Sequence, residues 1–141
     1  DVTRELPQES RRLSPSDFGF HNALKTPGGS LRFFDFEYAG WDDPVKMVCD
    51  FFCQLQVPVQ ERYFDVMKET AGSGSPDPAY YDQRLGLLRP LYLVKWCCII
   101  LNNFIPEFAE RRMFADTGHD EAAAKRNQLE KARQLFRSIV N

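Results

Sequence analysis

Asn22-Ala23-Leu24-Lys25-Thr26-Pro27-Gly28-Gly29-Ser30-Leu31-Arg32-Phe33-Phe34-Asp35 is the stretch from which the fold is read. Two short apolar-rich runs flank Thr26-Pro27-Gly28-Gly29-Ser30, a dense turn signal, and together they predict a β-hairpin. With 27–30 as a four-residue loop, Thr26 pairs with Leu31, and counting outward sets Asn22 opposite Asp35 at the open end. Directly opposed residues share a sheet face with Cβ atoms about 5 Å apart. A carboxamide oxygen and a carboxylate at that spacing suit one hard cation. Asp17 lies five residues before Asn22, in the irregular segment 14–21, and brings a third oxygen or a base to the same point.

Beyond the hairpin, residues 34–43 carry Asp35, Glu37, Asp42 and Asp43 with no Lys or Arg among them. A solvated acidic loop, with Asp43 merely capping a helix, is the plain explanation. The setting Leu31-Arg32-Phe33-Phe34-Asp35-Phe36 argues otherwise, because an acid ending a Phe-rich strand serves more than solubility. From Pro44 the period becomes helical: Asp43 is an N-cap, Pro44 the first helical residue, and Val45, Val48, Cys49, Phe52 and Cys53 share a face. This helix is expected to end before Pro58. A second helix is expected over 59–70, closed by the Gly/Ser/Pro loop 71–78. The apolar stretch 80–104 reads as the most buried helical hairpin, kinked or split at Pro90. A short segment starts at Pro106. The last helix opens at Thr117 with a capping box and carries a stripe of Leu129, Ala132, Leu135, Phe136, Ile139 and Val140. Residues 1–12 are polar and read as a connecting segment, with the domain spanning 13–141.

The chain has 141 residues, 43% hydrophobic, with 12 Phe, which is enough for one real core and excludes disorder and disulfide scaffolds. Eighteen basic against 20 acidic residues leave a net charge of -2, without the basic excess of a nucleic-acid binder. No uninterrupted apolar run is long enough to span a membrane. Cys49, Cys53, Cys97 and Cys98 fall within apolar helical patterns, so they read as buried reduced thiols in a reducing cytoplasm rather than as zinc ligands. The chain begins at Asp1, not Met, and reads as an excised piece.

Three elements in order then point to a family. Ser16-Asp17-Phe18-Gly19-Phe20-His21-Asn22-Ala23-Leu24, then Phe33-Phe34-Asp35-Phe36-Glu37-Tyr38-Ala39-Gly40-Trp41-Asp42-Asp43-Pro44, then Asp50-Phe51, resemble the aminoglycoside phosphotransferase and choline kinase family, which has a protein-kinase-like fold. The likeness covers residues 14 to 51 closely and the remainder only as a helical pattern. It implies a mainly α protein with a small β-hairpin: a kinase-like C-terminal lobe, its helical bundle packed beside the catalytic hairpin. Asp17 then resembles the catalytic base that receives the proton of the acceptor hydroxyl. Asn22 resembles a Mg²⁺ ligand, and Asp35 the carboxylate bridging the metal to the phosphates of ATP. Phosphoryl transfer is mostly positioning and charge neutralisation, so two metal ligands and one orienting acid suffice on this side of a site. Asp50 reads as a backbone-bonding support or an exposed helix acid, and Glu37 as a turn acid rather than a metal assistant.

The chain also departs from the family. Where members have His-Gly before the catalytic Asp, this chain has Pro15-Ser16, so the His that braces the metal-binding segment is missing. His21 is not at that position and reads as a local hydrogen-bonding residue; His119 has no role. The phosphate-covering loop and ATP-anchoring Lys of an N-terminal lobe are missing from the sequence, which is therefore expected to act with such a lobe on a small-molecule hydroxyl, helices 78–115 shaping the acceptor pocket. The other class of reading is a catalytically impaired, pseudokinase-like or helical interaction domain, which the Pro15-Ser16 departure favours. A metal-dependent phosphoesterase is disfavoured because only two His are present.

Overall fold

The computed structural model describes residues 5–106 and 120–140. In chain order the strands are β1 (Arg12–Ser14), β2 (Ala23–Lys25), β3 (Leu31–Phe33) and β4 (Gly40–Asp42), and the helices α1 (Pro44–Cys53), α2 (Phe64–Gly72), α3 (Pro78–Leu101) and α4 (Glu121–Val140). The described residues are thus mainly helical, with two small antiparallel sheets, β1 with β4 and β2 with β3. Two compact units divide at the middle of α3, residues 1–89 and 90–141.

The expected hairpin forms, but one residue out of the expected register. Ala23 faces Phe33, Leu24 faces Arg32 and Lys25 faces Leu31. Thr26 donates its N–H to Ser30 O at 2.8 Å and accepts from Gly29 N at 2.9 Å, so the loop is the three residues Pro27, Gly28 and Gly29. Gly29 makes this possible: at φ +85° it occupies the left-handed region that closes a three-residue hairpin. Asn22 therefore meets Phe34, whose N–H donates to Asn22 O at 3.0 Å, and not Asp35. Gly29→Ala should lower stability by about 1–2 kcal/mol although no atom lies within 4 Å of the added Cβ, because the cost is in the backbone. Urea denaturation of the pair measures it.

The other sheet was not legible. β1 pairs Arg12 with Asp42, Leu13 with Trp41 and Ser14 with Gly40, so structure starts within the segment read as a connector. Arg12 also donates through Nη2 to Ser73 O at 3.0 Å, tying this segment to the end of α2.

Helix α1 follows its sequence signals. The Asp43 carboxylate accepts from Val45 N at 2.9 Å, Pro44 opens the helix, and Val45, Val48, Cys49, Phe51 and Cys53 are buried. It stops at Cys53 because Gln54, wholly buried, turns the chain: its Oε1 accepts from Gln56 N and Val57 N, both at 3.0 Å, and its Nε2 donates to Val57 O. The expected helix over 59–70 begins later, as a 3-10 turn at Glu61–Tyr63 followed by α2. Phe52 of α1 packs edge-on against Phe64 at 5.2 Å.

Of the kink or split expected at Pro90, the split does not occur: α3 runs unbroken for 24 residues with Pro90 inside it. What Pro90 does mark is the division between the two compact units. Nor is this stretch the most buried: Leu87, Leu91, Val94 and Ile99 are exposed, because its apolar residues run around the whole helix rather than along one stripe. Tyr81 and Leu85 are buried in its first part, Trp96 and Cys97 in its second.

In the unit 90–141, α4 buries Ala132 and Leu135 from the expected stripe, while Phe136 is exposed. Asp120 caps the helix through Oδ1, accepting from Ala123 N at 3.0 Å. The capping box read at Thr117, the segment starting at Pro106 and His119 fall on or run into residues outside those described. All four cysteines are free; Cys49, Cys53 and Cys97 are buried as expected, whereas Cys98 is exposed. Burial pushes the Cys49 thiol up to about 12, with Cys53 and Asp50 adding to the shift. Among the described residues, no helix is long and apolar enough to cross a membrane.

Candidate functional site

The loop before the hairpin is anchored from beneath by aromatic rings. Phe18 stacks on Phe51 at 5.2 Å and leans on Phe33 at 5.1 Å, while Phe20 meets Phe51 edge-on at 5.2 Å. Alternate residues of the loop thus point into the unit, onto α1 and the hairpin, which leaves Asp17 exposed. Phe20–Asn22 forms a single 3-10 turn that hands the chain to β2.

Asp17 and Asn22 are brought together. Asn22, buried, donates Nδ2 to Asp17 O at 3.0 Å and to Asp17 Oδ2 at 3.3 Å. The other carboxylate oxygen, Oδ1, faces His21 Nε2 at 3.2 Å. His21 is thus the local hydrogen-bonding residue its sequence position suggested, and its side chain is only 7% exposed. Its ring lies against Gly19, where an added Cβ would stand 2.5 Å from Cε1 and Nδ1, so glycine is needed at 19 for the ring to sit there. His21 Nδ1 is buried without a partner among the described residues.

Two residues of this region hold left-handed backbones that side chains rarely adopt: Ser16 at φ 71° and Asp35 at φ 64°. Each costs of order 1–2 kcal/mol and persists only if the surroundings over-determine it. For Ser16 the surroundings are Lys46 on α1. Its Nζ donates to Ser16 O at 2.9 Å and to Ser16 Oγ at 3.0 Å, and it pairs with Asp42 at 2.7 Å and with buried Asp50 at 3.7 Å. Asp50 is accordingly no exposed helix acid. Lys46→Met would remove the charge that pairs with Asp42 and Asp50 and free the Ser16 turn, and should lower stability by about 3 kcal/mol. Urea denaturation checks the size, and the backbone amide shifts of residues 16 and 17 report the loosened turn.

Asp35 is exposed, one residue beyond the Phe34 N–H that bonds Asn22 O. The structure therefore places Asp35 one residue past Phe34, which meets Asn22, without the direct cross-strand opposition that the four-residue loop implied. The remaining acids have other work. Asp43 caps α1 and is gripped by both terminal nitrogens of Arg84, and Asp42 pairs with Lys46. Glu37 lies in the turn 36–39, closed by Ala39 N to Phe36 O at 3.0 Å, and its charge raises the Tyr38 hydroxyl above its ordinary value. That is the turn-acid position.

The parts played by Lys46 and Arg84 were not expected from the sequence. For Lys46 a signal existed: Asp42, Lys46 and Asp50 recur at intervals of four, the spacing of neighbours on a helix face. Arg84 lies 41 residues from Asp43 and had none.

The fit of a cation can be judged from these oxygens. Asn22 turns its amide nitrogen to Asp17, and its Oδ1 accepts no hydrogen bond among the described residues. Asp35 has no ion pair there either. No group of three or more His, Cys, Asp or Glu that could hold a metal occurs among the described residues. A carboxamide and a carboxylate suit Mg²⁺, which keeps several waters and takes phosphate oxygens for the rest of its shell. No protein-family model matches the chain, and no significant similarity emerges to curated proteins or to solved structures.

Proposed function

We propose that this chain is the catalytic lobe of an ATP- and Mg²⁺-dependent phosphotransferase acting on a hydroxyl of a small molecule, as its resemblance to the aminoglycoside phosphotransferase and choline kinase family implies. The observation that carries this reading is the Asp17–Asn22 pair. An exposed carboxylate has its two oxygens oriented by His21 and Asn22, while the Asn22 carbonyl oxygen stays available. Ser16 adds support: at φ 71° it holds the backbone shape that the family's glycine takes readily, so the departure from His-Gly does not cost the loop its turn. Lys46 supplies bracing from α1 in place of the missing His.

In the reaction, the acceptor hydroxyl gives its proton to the Asp17 carboxylate while its oxygen bonds to the terminal phosphorus. The bond from that phosphorus to the bridging oxygen breaks, and the nucleoside diphosphate leaves with the electron pair. Asn22 and Asp35 would hold Mg²⁺, which supplies neutralising charge to the phosphate oxygens. An N-terminal lobe of the same protein would hold the nucleotide. A reducing, cytoplasmic location belongs to the same reading and is supported by four free thiols.

A thermal melt of the protein bearing its nucleotide-binding lobe tests the reading. ATP and Mg²⁺ together should raise Tm by several degrees, and more than either alone. Equal melts in all four conditions would instead favour the non-catalytic, pseudokinase-like domain.

A further inference from the structure

The unit 1–89 contains a cavity of about 560 Å³, in the size range of small-molecule sites. Phe20, Phe51, Tyr63, Val66 and Met67 form its apolar walls, and Gln60, Arg62 and Thr70 supply its polar groups. Two observations bear on what it takes. First, Phe20 belongs both to its wall and to the loop that runs from Asp17 to Asn22. Second, among the described residues the lining includes a guanidinium and no carboxylate. Arg62 lies over the Tyr63 ring at 4.8 Å and donates to its hydroxyl at 2.9 Å, while Thr70 is bonded to Val66 O at 2.7 Å. Tyr63 and Val66 expose large apolar surface, 48% and 64%.

A cationic acceptor would enter this cavity against the Arg62 charge and with no anion to meet it, losing its hydration without replacement. A neutral molecule with a flat apolar body loses little and covers the exposed aromatic and aliphatic walls. We infer that the cavity is the acceptor pocket and that the acceptor is a neutral, apolar-bodied alcohol, aromatic or alicyclic, rather than a polyamine or a quaternary ammonium compound. The inference rests on the phosphotransferase reading for the word acceptor, and on the lining alone for the chemistry of the ligand. It also moves the pocket from the helices 78–115 to residues 58–70 and the loop ring Phe20.

Val66 is exposed on α2, so Val66→Asp can be made without disturbing the core. Binding of 2-(2-naphthyl)ethanol, of choline and of glucose is measured by isothermal calorimetry on the full-length protein and on the variant Val66→Asp. The naphthyl alcohol should bind at least tenfold more tightly than choline or glucose. Val66→Asp should weaken it at least tenfold. Choline binding as tightly, an unchanged Kd in Val66→Asp, or a groove already filled by the rest of the protein so that no naphthyl alcohol binds, would each overturn the inference. Phosphate transfer separates the two claims. A naphthyl alcohol that binds through Val66 but is never phosphorylated upholds the pocket chemistry while removing the reaction and, with it, the assignment as an acceptor site. Asp17-dependent phosphorylation of choline upholds the reaction and removes the pocket assignment.

Discussion

Asp17→Asn, made with the nucleotide-binding lobe that the proposed phosphotransferase requires, should lower kcat by about 10³-fold, within the range lost when a positioned general base is removed. The substitution keeps the shape of the side chain and removes its capacity to take a proton. One oxygen remains to accept from Asn22, as Asp17 Oδ2 does at 3.3 Å, so the loop should stay in place. Because the Asp17 side chain is 52% exposed and carries no core packing, the unfolding free energy should fall only by the one hydrogen bond lost to His21, about 0.5–1.5 kcal/mol. Steady-state release of nucleoside diphosphate, with urea denaturation beside it, distinguishes lost chemistry from lost fold. Turnover within threefold of the parent would remove Asp17 from the reaction.

The second large effect concerns Phe51→Ala. This ring is 7% exposed and touches Phe18, Phe20 and Phe52, so its loss opens a cavity under the loop and the hairpin at once. Truncating a buried Phe costs about 3–5 kcal/mol. That amount is a large part of the total stability of a domain, about 5–15 kcal/mol. The midpoint of urea unfolding should fall accordingly with the slope unchanged. Phe51→Leu, which keeps much of the volume, should recover most of the loss. Turnover in Phe51→Leu then reports whether the loop needs the ring itself, since Phe18 and Phe20 stack on it.

Residues on either side of the hairpin differ in how far they could be read. Helix α1 was legible down to its cap, because Asp43, Pro44 and the apolar spacing after them are local signals that act within one turn. The hairpin was legible as an element, and its register was not. A three-residue and a four-residue loop are both compatible with Thr-Pro-Gly-Gly-Ser, and only Gly29 at φ +85° selects the first. The strand pair β1–β4 escaped because three-residue strands carry no usable alternation and their partner lies 30 residues away. At Pro90 the local signal left a kink and a split open, and the helix continues through it for 24 residues.

At the candidate site the residue types were legible and their mutual geometry was not. Asp17, Asn22 and Asp35 stand out by spacing, as three oxygen-bearing side chains gathered around one hairpin. What tertiary structure decided is which atoms meet. Asn22 turns its amide nitrogen to Asp17, His21 takes the other carboxylate oxygen, and Asp35 stands beside Phe34 rather than opposite Asn22. Lys46 reaches 30 residues back to hold Ser16 in a left-handed turn, and Arg84 reaches 41 residues to grip Asp43. Capping, turn formation and helix period are set by neighbours along the chain, and so the sequence by itself determined them. Long-range contacts depend on how elements pack, and a side chain's partner across 30 or 41 residues exists only once the aromatic layer of Phe18, Phe20, Phe33 and Phe51 has brought the loop, the hairpin and α1 together.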